Sequence, residues 1–362
     1  MMTRRRNAFT ALALLASFCN LNPCVLGFST SLHKAKDTSF STTTTSLSAS
    51  LSPLPKDISP FEKSSSKSRD IQGEFRQIAE KAVKTAIADG VKQIEIEFPP
   101  LLGGSLSKSQ FDDFDNVQEL NENRDWCIQF MINLLNTKPV WFILPDLKEV
   151  ELAKDEWTGK RYRDAAVWSS IEAVTDHYSD GSYAKPWGAT FASGMSSLLG
   201  GSNGDAGLLG DQNALDQLEG SAGLHLVCQP GNGGPVEDWV NVEAIHKSSG
   251  GEIPTCVVNG ALDKVRDGYY PGVVFPKLAK SFPFYRNFEA TFFLKPISDK
   301  GVYGWVYRVY PEQWQVYLQV PFQKNGQVLV EDRLALVSES RPSYAEAVNA
   351  LLAAANKEVS TK

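Results

Sequence analysis

Six polar side chains follow short apolar runs in this sequence. Glu97 closes IEIE, Asp146 follows FILP, Gln229 follows LHLVC, and Asn259 follows VV, with Asp263 and Arg266 a few residues further on. Carboxylates, amides and a guanidinium can together hold a polar or phosphorylated ligand, and acid–base work would need a further group to relay the proton. In an open parallel sheet, ligands gather beyond the carboxyl ends of the strands. If the runs are parallel strands, Glu97, Asp146, Gln229, Asn259, Asp263 and Arg266 form one candidate ligand rim, with Lys264 beside them.

Each of these residues also has an ordinary structural reading. Asp146 can N-cap the LKEVELAKDEW helix, Asn259-Gly260 can turn the chain, and Glu95 and Glu97 can line the solvated face of a strand. No motif completes a mechanism. GxxxxGK[ST], GxGxxG and GxSxG do not occur, and Gly159-Lys160 is followed by Arg161. His177, His225 and His246 lie at no metal-ligand spacing from another His or Cys, and His225 within LHLVC reads as a core histidine. No catalytic residue, metal or cofactor is assigned.

The elements that must position the rim alternate. IQGEFRQIAEKAVKTAIADG repeats apolar residues at helical spacing and stops at Asp89-Gly90, and VKQIEIEFP then alternates as a strand with Ile94, Ile96 and Phe98 on one side. A helix over NVQELNENRDWCIQFMINLLN precedes the apolar run PVWFILPD, and RDAAVWSSIEAV fits strand or helix. LHLVCQPG, the helix PVEDWVNVEAIHKSS and PTCVVNG continue the pattern, as a parallel sheet covered on both faces requires. EATFFLKPI, YGWVYRVY, WQVYLQV and QVLVEDRLAL are then separated by turn residues, and read as an antiparallel meander. Trp305 and Tyr307 share a face by period two and read as packing residues, and the helix SYAEAVNALLAAANK is expected to pack back on the sheet. The expected fold is α/β, a mainly parallel sheet with helices on both faces, extended by the meander and a final helix. A single domain is expected over 61–345, with a Gly-rich insertion at 194–223 and a helix end and tail over 346–362; a split near Phe288 is the alternative.

Before that body, MMTRRRNAFTALALLASFCNLNPCVLG has the basic start and apolar run of a signal peptide (1–27). Residues 28–60 are Ser/Thr-rich and nearly acid-free, as in a transit peptide, and the junction at Phe28 resembles the bipartite presequence of algae with secondary red plastids. Residues 1–60 carry six Lys/Arg against two acids, so the formal charge of −6 for the whole chain leaves −10 on the remainder. That acidity, without a basic stripe, argues against nucleic acid as a partner. Cys127, Cys228 and Cys256 form neither a CxxC motif nor an even disulfide set, and no later segment is long enough for a transmembrane helix.

The series EKAVKTAIADG, IEIEFPP, FILPD, VVNGAL, YRNFEATFFLKPI and WVYRVYPEQWQVY, over about residues 70–340, resembles a plastid and cyanobacterial domain-of-unknown-function family. Its members include the chloroplast low-photosystem-II-accumulation protein three and the C-terminal extension of a chloroplast adenylate kinase. The most specific features are the Phe-Glu strand, Arg308, Tyr310-Pro311 and Trp314; the 194–223 insertion and Phe292-Phe293, where relatives more often carry tyrosine, depart from the pattern. No adenylate kinase domain accompanies this chain, so phosphotransfer does not carry over. The resemblance implies a plastid auxiliary factor of photosystem II assembly or stability, in the stroma or at the stromal thylakoid face, that contacts photosystem or thylakoid assembly proteins. Peripheral membrane attachment stays open. The alternative is a domain or enzyme that binds a nucleotide or phosphorylated ligand at the strand-end rim.

Overall fold

The structure is a computed structural model, and it describes residues 51–55, 71–99, 113–134, 139–179, 222–231, 236–266 and 268–360. The expected signal peptide lies outside the described residues, as do the transit segment apart from 51–55 and the Gly-rich insertion apart from 222–223.

Helix α1 (Ile71–Ala88) buries Ala79, Ala82, Val83 and Ala86, which helical spacing stacks into one stripe. It ends where Gly90 takes φ 85°: the Gly90 N–H donates to Ile87 O at 3.0 Å and the Val91 N–H to Ala86 O at 2.9 Å. This is the paired closure that a left-handed residue permits at a helix end. Strand β1 (Gln93–Glu97) follows, then α2 (Asp113–Met131), β2 (Val140–Leu144), α3 (Leu147–Glu156), the short α4 (Lys160–Arg163) and β3 (Ala166–Ser170). The segment that fits strand or helix therefore divides. Its first half is β3, and Ser170 then accepts the Ala173 N–H on Oγ at 3.2 Å as the chain enters α5 (Ile171–Ser179). Strand β4 (Leu224–Cys228), α6 (Glu237–Ser248), β5 (Thr255–Val258), α7 (Leu262–Arg266) and α8 (Pro276–Arg286) lead to the meander β6 (Glu289–Asp299), β7 (Val302–Val309), β8 (Trp314–Lys324) and β9 (Gln327–Ser338). The last helix is α9 (Tyr344–Ser360).

The described strands form one nine-stranded sheet in the order β3-β2-β4-β5-β1-β6-β7-β8-β9. Strands β3 through β6 of that order pair in parallel, and the meander adds antiparallel ladders from β6 outward. Strand β1 is therefore flanked on both sides, with β6 continuing directly from the parallel half. One face carries an apolar cluster that joins α1, α2 and α3 to Ile94, Ile96, Phe142, Leu226, Phe292, Trp305 and Tyr307, so Trp305 and Tyr307 do pack in the core. The opposite face carries two clusters. One lies under α5, α6, α7 and α8 around Trp141, Val227 and Val257, and the other lies under α9 around Phe293, Val306 and Val316.

The docking of α9 depends on one glycine. A Cβ at Gly304 of β7 would lie 2.2 Å from Tyr317 O and 2.8 Å from a Leu351 Cδ atom, so the helix approaches the sheet only where no side chain intervenes. Gly304→Ala should lower stability by about 1–3 kcal/mol in urea denaturation, the usual cost of overpacking. A variant as stable as the wild type would show that the two surfaces can part without loss.

Candidate functional site

The sequence places Gln229 and Asn259 at the carboxyl ends of β4 and β5, and the fold joins them. Asn123, one turn before the buried Trp126 and Cys127 of α2, donates from Nδ2 to Gln229 Oε1 at 2.7 Å and accepts from Asn259 Nδ2 at 2.6 Å. Asn259 Oδ1 in turn accepts the Phe98 N–H at 2.8 Å, just past the end of β1. Three strand ends and a helix are thus closed by one buried chain of amides. Gln229, Asn259 and Ala261 all hold positive φ (46°, 49° and 47°), a conformation that L-residues keep only where surrounding bonds over-determine it. Lys300 and Asn325 share that conformation, each followed by a glycine in a tight hairpin turn. Asp146 stands apart from the chain of amides. It is exposed and caps α3, its Oδ1 accepting the Glu149 N–H at 2.9 Å.

Glu95 does not line a solvated face, because Arg266 and Arg341 cover it, and Glu97 is half-buried. Glu95 is 1 % exposed and sits between the two apolar clusters of the second face. Arg266, at the end of α7, meets it as a fork, with Nη2 2.6 Å and Nη1 3.3 Å from the two carboxylate oxygens, while its Nε donates to Tyr285 O at 2.9 Å. Arg341, in the segment before α9, approaches the same carboxylate at 3.1 Å and stacks over the Phe293 ring at 4.2 Å. Asp263 continues the seam, 2.6 Å from Arg341 Nη2 and 2.9 Å from Lys295 Nζ. Burial acts against the Asp263 carboxylate, but Arg341, Lys295 and Arg266 outweigh it and hold the carboxyl below its ordinary range.

Of the six rim residues, then, Asp263 and Arg266 belong with Glu97 to a charged seam on the second face, and Gln229 and Asn259 belong to the amide chain. Sequence reasoning missed Asn123, Lys295 and Arg341. The first two carried a signal: Asn123 falls on the buried stripe of its helix, and Lys295 directly follows the buried run of β6. Arg341 lies in a loop with no pattern to mark it.

Across residues 71–349 the sequence matches the family described as a domain of unknown function, DUF1995. The chain belongs to that family. No curated protein and no solved structure matches it. Every residue of the seam and of the amide chain lies within the matched span of this DUF1995 domain.

Chemically, the domain holds its perturbed groups in fixed company. Glu97 Oε2 is buried and has no hydrogen-bond partner among the described residues, and burial raises the carboxyl from 4.5 to about 7; Lys295 opposes the rise, and Glu95 and Asp263 add to it. His225 stays neutral, because burial lowers it to about 3; its Nε2 lies 3.1 Å from the Tyr178 hydroxyl. Cys127, Cys228 and Cys256, far apart in sequence, all face the first cluster as free thiols, and burial pushes Cys127 and Cys256 upward, away from the reactive thiolate. Among the described residues, no group of three or more His, Cys, Asp or Glu side chains is placed to hold a metal ion.

Two stability measurements follow from the seam. Glu95→Ala removes the buried one of the two carboxylates that Arg266 and Arg341 share, leaving them Asp263 alone, and should cost about 3–5 kcal/mol in urea denaturation, as when one partner of a buried pair is removed; a loss under about 1 kcal/mol would mean the seam holds nothing together. For Glu97 the folded pKa is raised, so its contribution is fully present below about pH 4.5 and is lost as the pH climbs through 7. Relative to Glu97→Gln, the wild type should lose up to about 3 kcal/mol between roughly pH 5 and pH 8. Parallel stability–pH curves for the two proteins would refute the buried acid.

Proposed function

We propose that this protein is a non-enzymatic auxiliary factor of photosystem assembly or stability, photosystem II foremost, working in a plastid through protein–protein contacts. Membership of the DUF1995 family and the resemblance to the chloroplast low-photosystem-II-accumulation protein three support the reading, as does the acid-poor segment that precedes the domain. The stroma or the stromal thylakoid face is the corresponding compartment. No helix among the described residues is long and apolar enough to cross a membrane.

The observation that carries the proposal is the outer edge of the meander. Strand β9 is twelve residues long and pairs with β8 on one side, while its other edge pairs with no strand among the described residues. It exposes Val328 at 63 % and Leu334 at 49 %, and Phe322 of β8 is exposed nearby. An open edge with apolar side chains is a surface that an extended partner segment can join by strand addition. Glu331, Asp332 and Arg333 in its middle are the kind of charge that keeps such an edge from pairing indiscriminately.

A small ligand at the strand-end rim is the weaker reading. The amides of Gln229, Asn123 and Asn259 already satisfy one another, so a ligand there would have to break buried hydrogen bonds worth about 1 kcal/mol each.

Affinity purification of tagged protein from intact plastids should recover photosystem or thylakoid assembly subunits. Val328→Lys combined with Leu334→Lys, both at exposed positions, should keep the native circular dichroism and lose most of that recovery. Purification of wild-type protein that enriches no thylakoid subunit would end the proposal.

A further inference from the structure

The charged seam does not end at Glu95. On the side away from the amide chain, where α8 ends and β6 begins, it opens into a pocket of about 290 Å³. Four arginines line it, Arg266, Arg286, Arg308 and Arg341, against two carboxylates, Glu289 and Glu339. The lining residues alone carry a net charge of +2, and Glu95 and Asp263 behind them pair with Arg266 and Arg341.

Three of the guanidinium groups are held rigidly. Arg266 is fixed by Glu95 and Tyr285 O. Arg308 donates from Nε to Glu312 O at 3.0 Å and from Nη1 to Ala290 O at 3.2 Å, and its Nη2 lies 2.6 Å from Glu289. Arg341 is fixed by Glu95 and by the Phe293 ring. Arg266 and Arg308 each commit one N–H on each nitrogen, which leaves a donor on both terminal nitrogens of either side chain. Arg286 stands exposed at the end of α8, and no ion pair engages it among the described residues. Trp314 forms part of the wall, with Arg308 at 5.2 Å and Arg341 at 5.1 Å from its ring.

We propose that this arginine-lined pocket binds a small oxyanion, a metabolite that bears a phosphate or carboxylate group. A guanidinium presents its donors as a planar fork that matches the oxygens of either group two at a time. Side chains already immobilised by the fold lose little entropy when such a ligand arrives. The volume is at the small end of ligand pockets, which suits a phosphate monoester or a short polycarboxylate rather than a nucleotide. The site lies beside the amino-terminal start of β6, and none of its arginines except Arg266 belongs to the strand-end rim.

The test is titration calorimetry of the purified protein at low ionic strength with inorganic phosphate, glycerol 3-phosphate and citrate. Saturable binding of at least one is expected, weakening as salt is added, and the tighter of the phosphate and citrate series identifies the recognised group. Arg286→Ala, at an exposed position, and Arg308→Lys, which keeps the charge but removes the fork, should each weaken binding by about tenfold or more, the worth of one charge-assisted hydrogen bond. The absence of saturable binding by all three probes at millimolar concentration would overturn the site, as would binding that both variants leave unchanged. A protein that still recovered thylakoid subunits under either result would lose this site and keep the assembly role.

Discussion

A carboxylate that is 1 % exposed in the middle of a sheet must be neutralised, and Glu95 is neutralised by two guanidinium groups from segments far away in the chain. Arg266 brings in the end of α7, and Arg341 brings in the connection from β9 to α9. The contact therefore ties the parallel half of the sheet to the meander, at a position between Val257 of one second-face cluster and Ala290 of the other. Replacing such a pair by well-packed apolar residues is often neutral or stabilising, so stability alone does not explain it. What the charges add is position: they set the guanidinium planes of the adjoining pocket and hold Asp263, Lys295 and Glu97 in a row behind them.

The opposite edge of the parallel strands is governed by a different economy. There the amides of Asn123, Gln229 and Asn259 satisfy each other and hold the backbone of Gln229 and Asn259 at positive φ. Among the described residues, the strand-end amides are thus engaged with one another, while the arginine-lined pocket and the outer edge of β9 are open. This division of surfaces agrees with the two proposals, a partner along one edge and a small anion bound elsewhere.

Much of the architecture was legible residue by residue. Helical spacing marked α1, Asp89-Gly90 marked its end, Asp146 marked the start of α3, and aromatic and β-branched runs between turn residues marked the meander. These signals are local, set by dihedral preference and by which side chains can face one core. The alternation of β1 was also legible, but its polar side was left open between a solvated face and a ligand rim, because a period of two reports which residues share a face and not what covers it. The cover came from β6 and α7, and from a loop some 246 residues away from Glu95.

The sequence by itself determined most of the alternation of helices and strands, though neither the division of 166–179 nor α7 and α8, together with the parallel-then-antiparallel character of the sheet and the acidity of the body, since each depends on composition or short-range periodicity. Only the tertiary structure decided which polar residues meet. Asn123 reaches across 106 and 136 residues to its two partners, and Arg266 across 171 to Glu95. Pairings at that range are set by strand order and register, which no local pattern encodes, and so the amide chain, the buried seam and the arginine pocket became visible only in three dimensions.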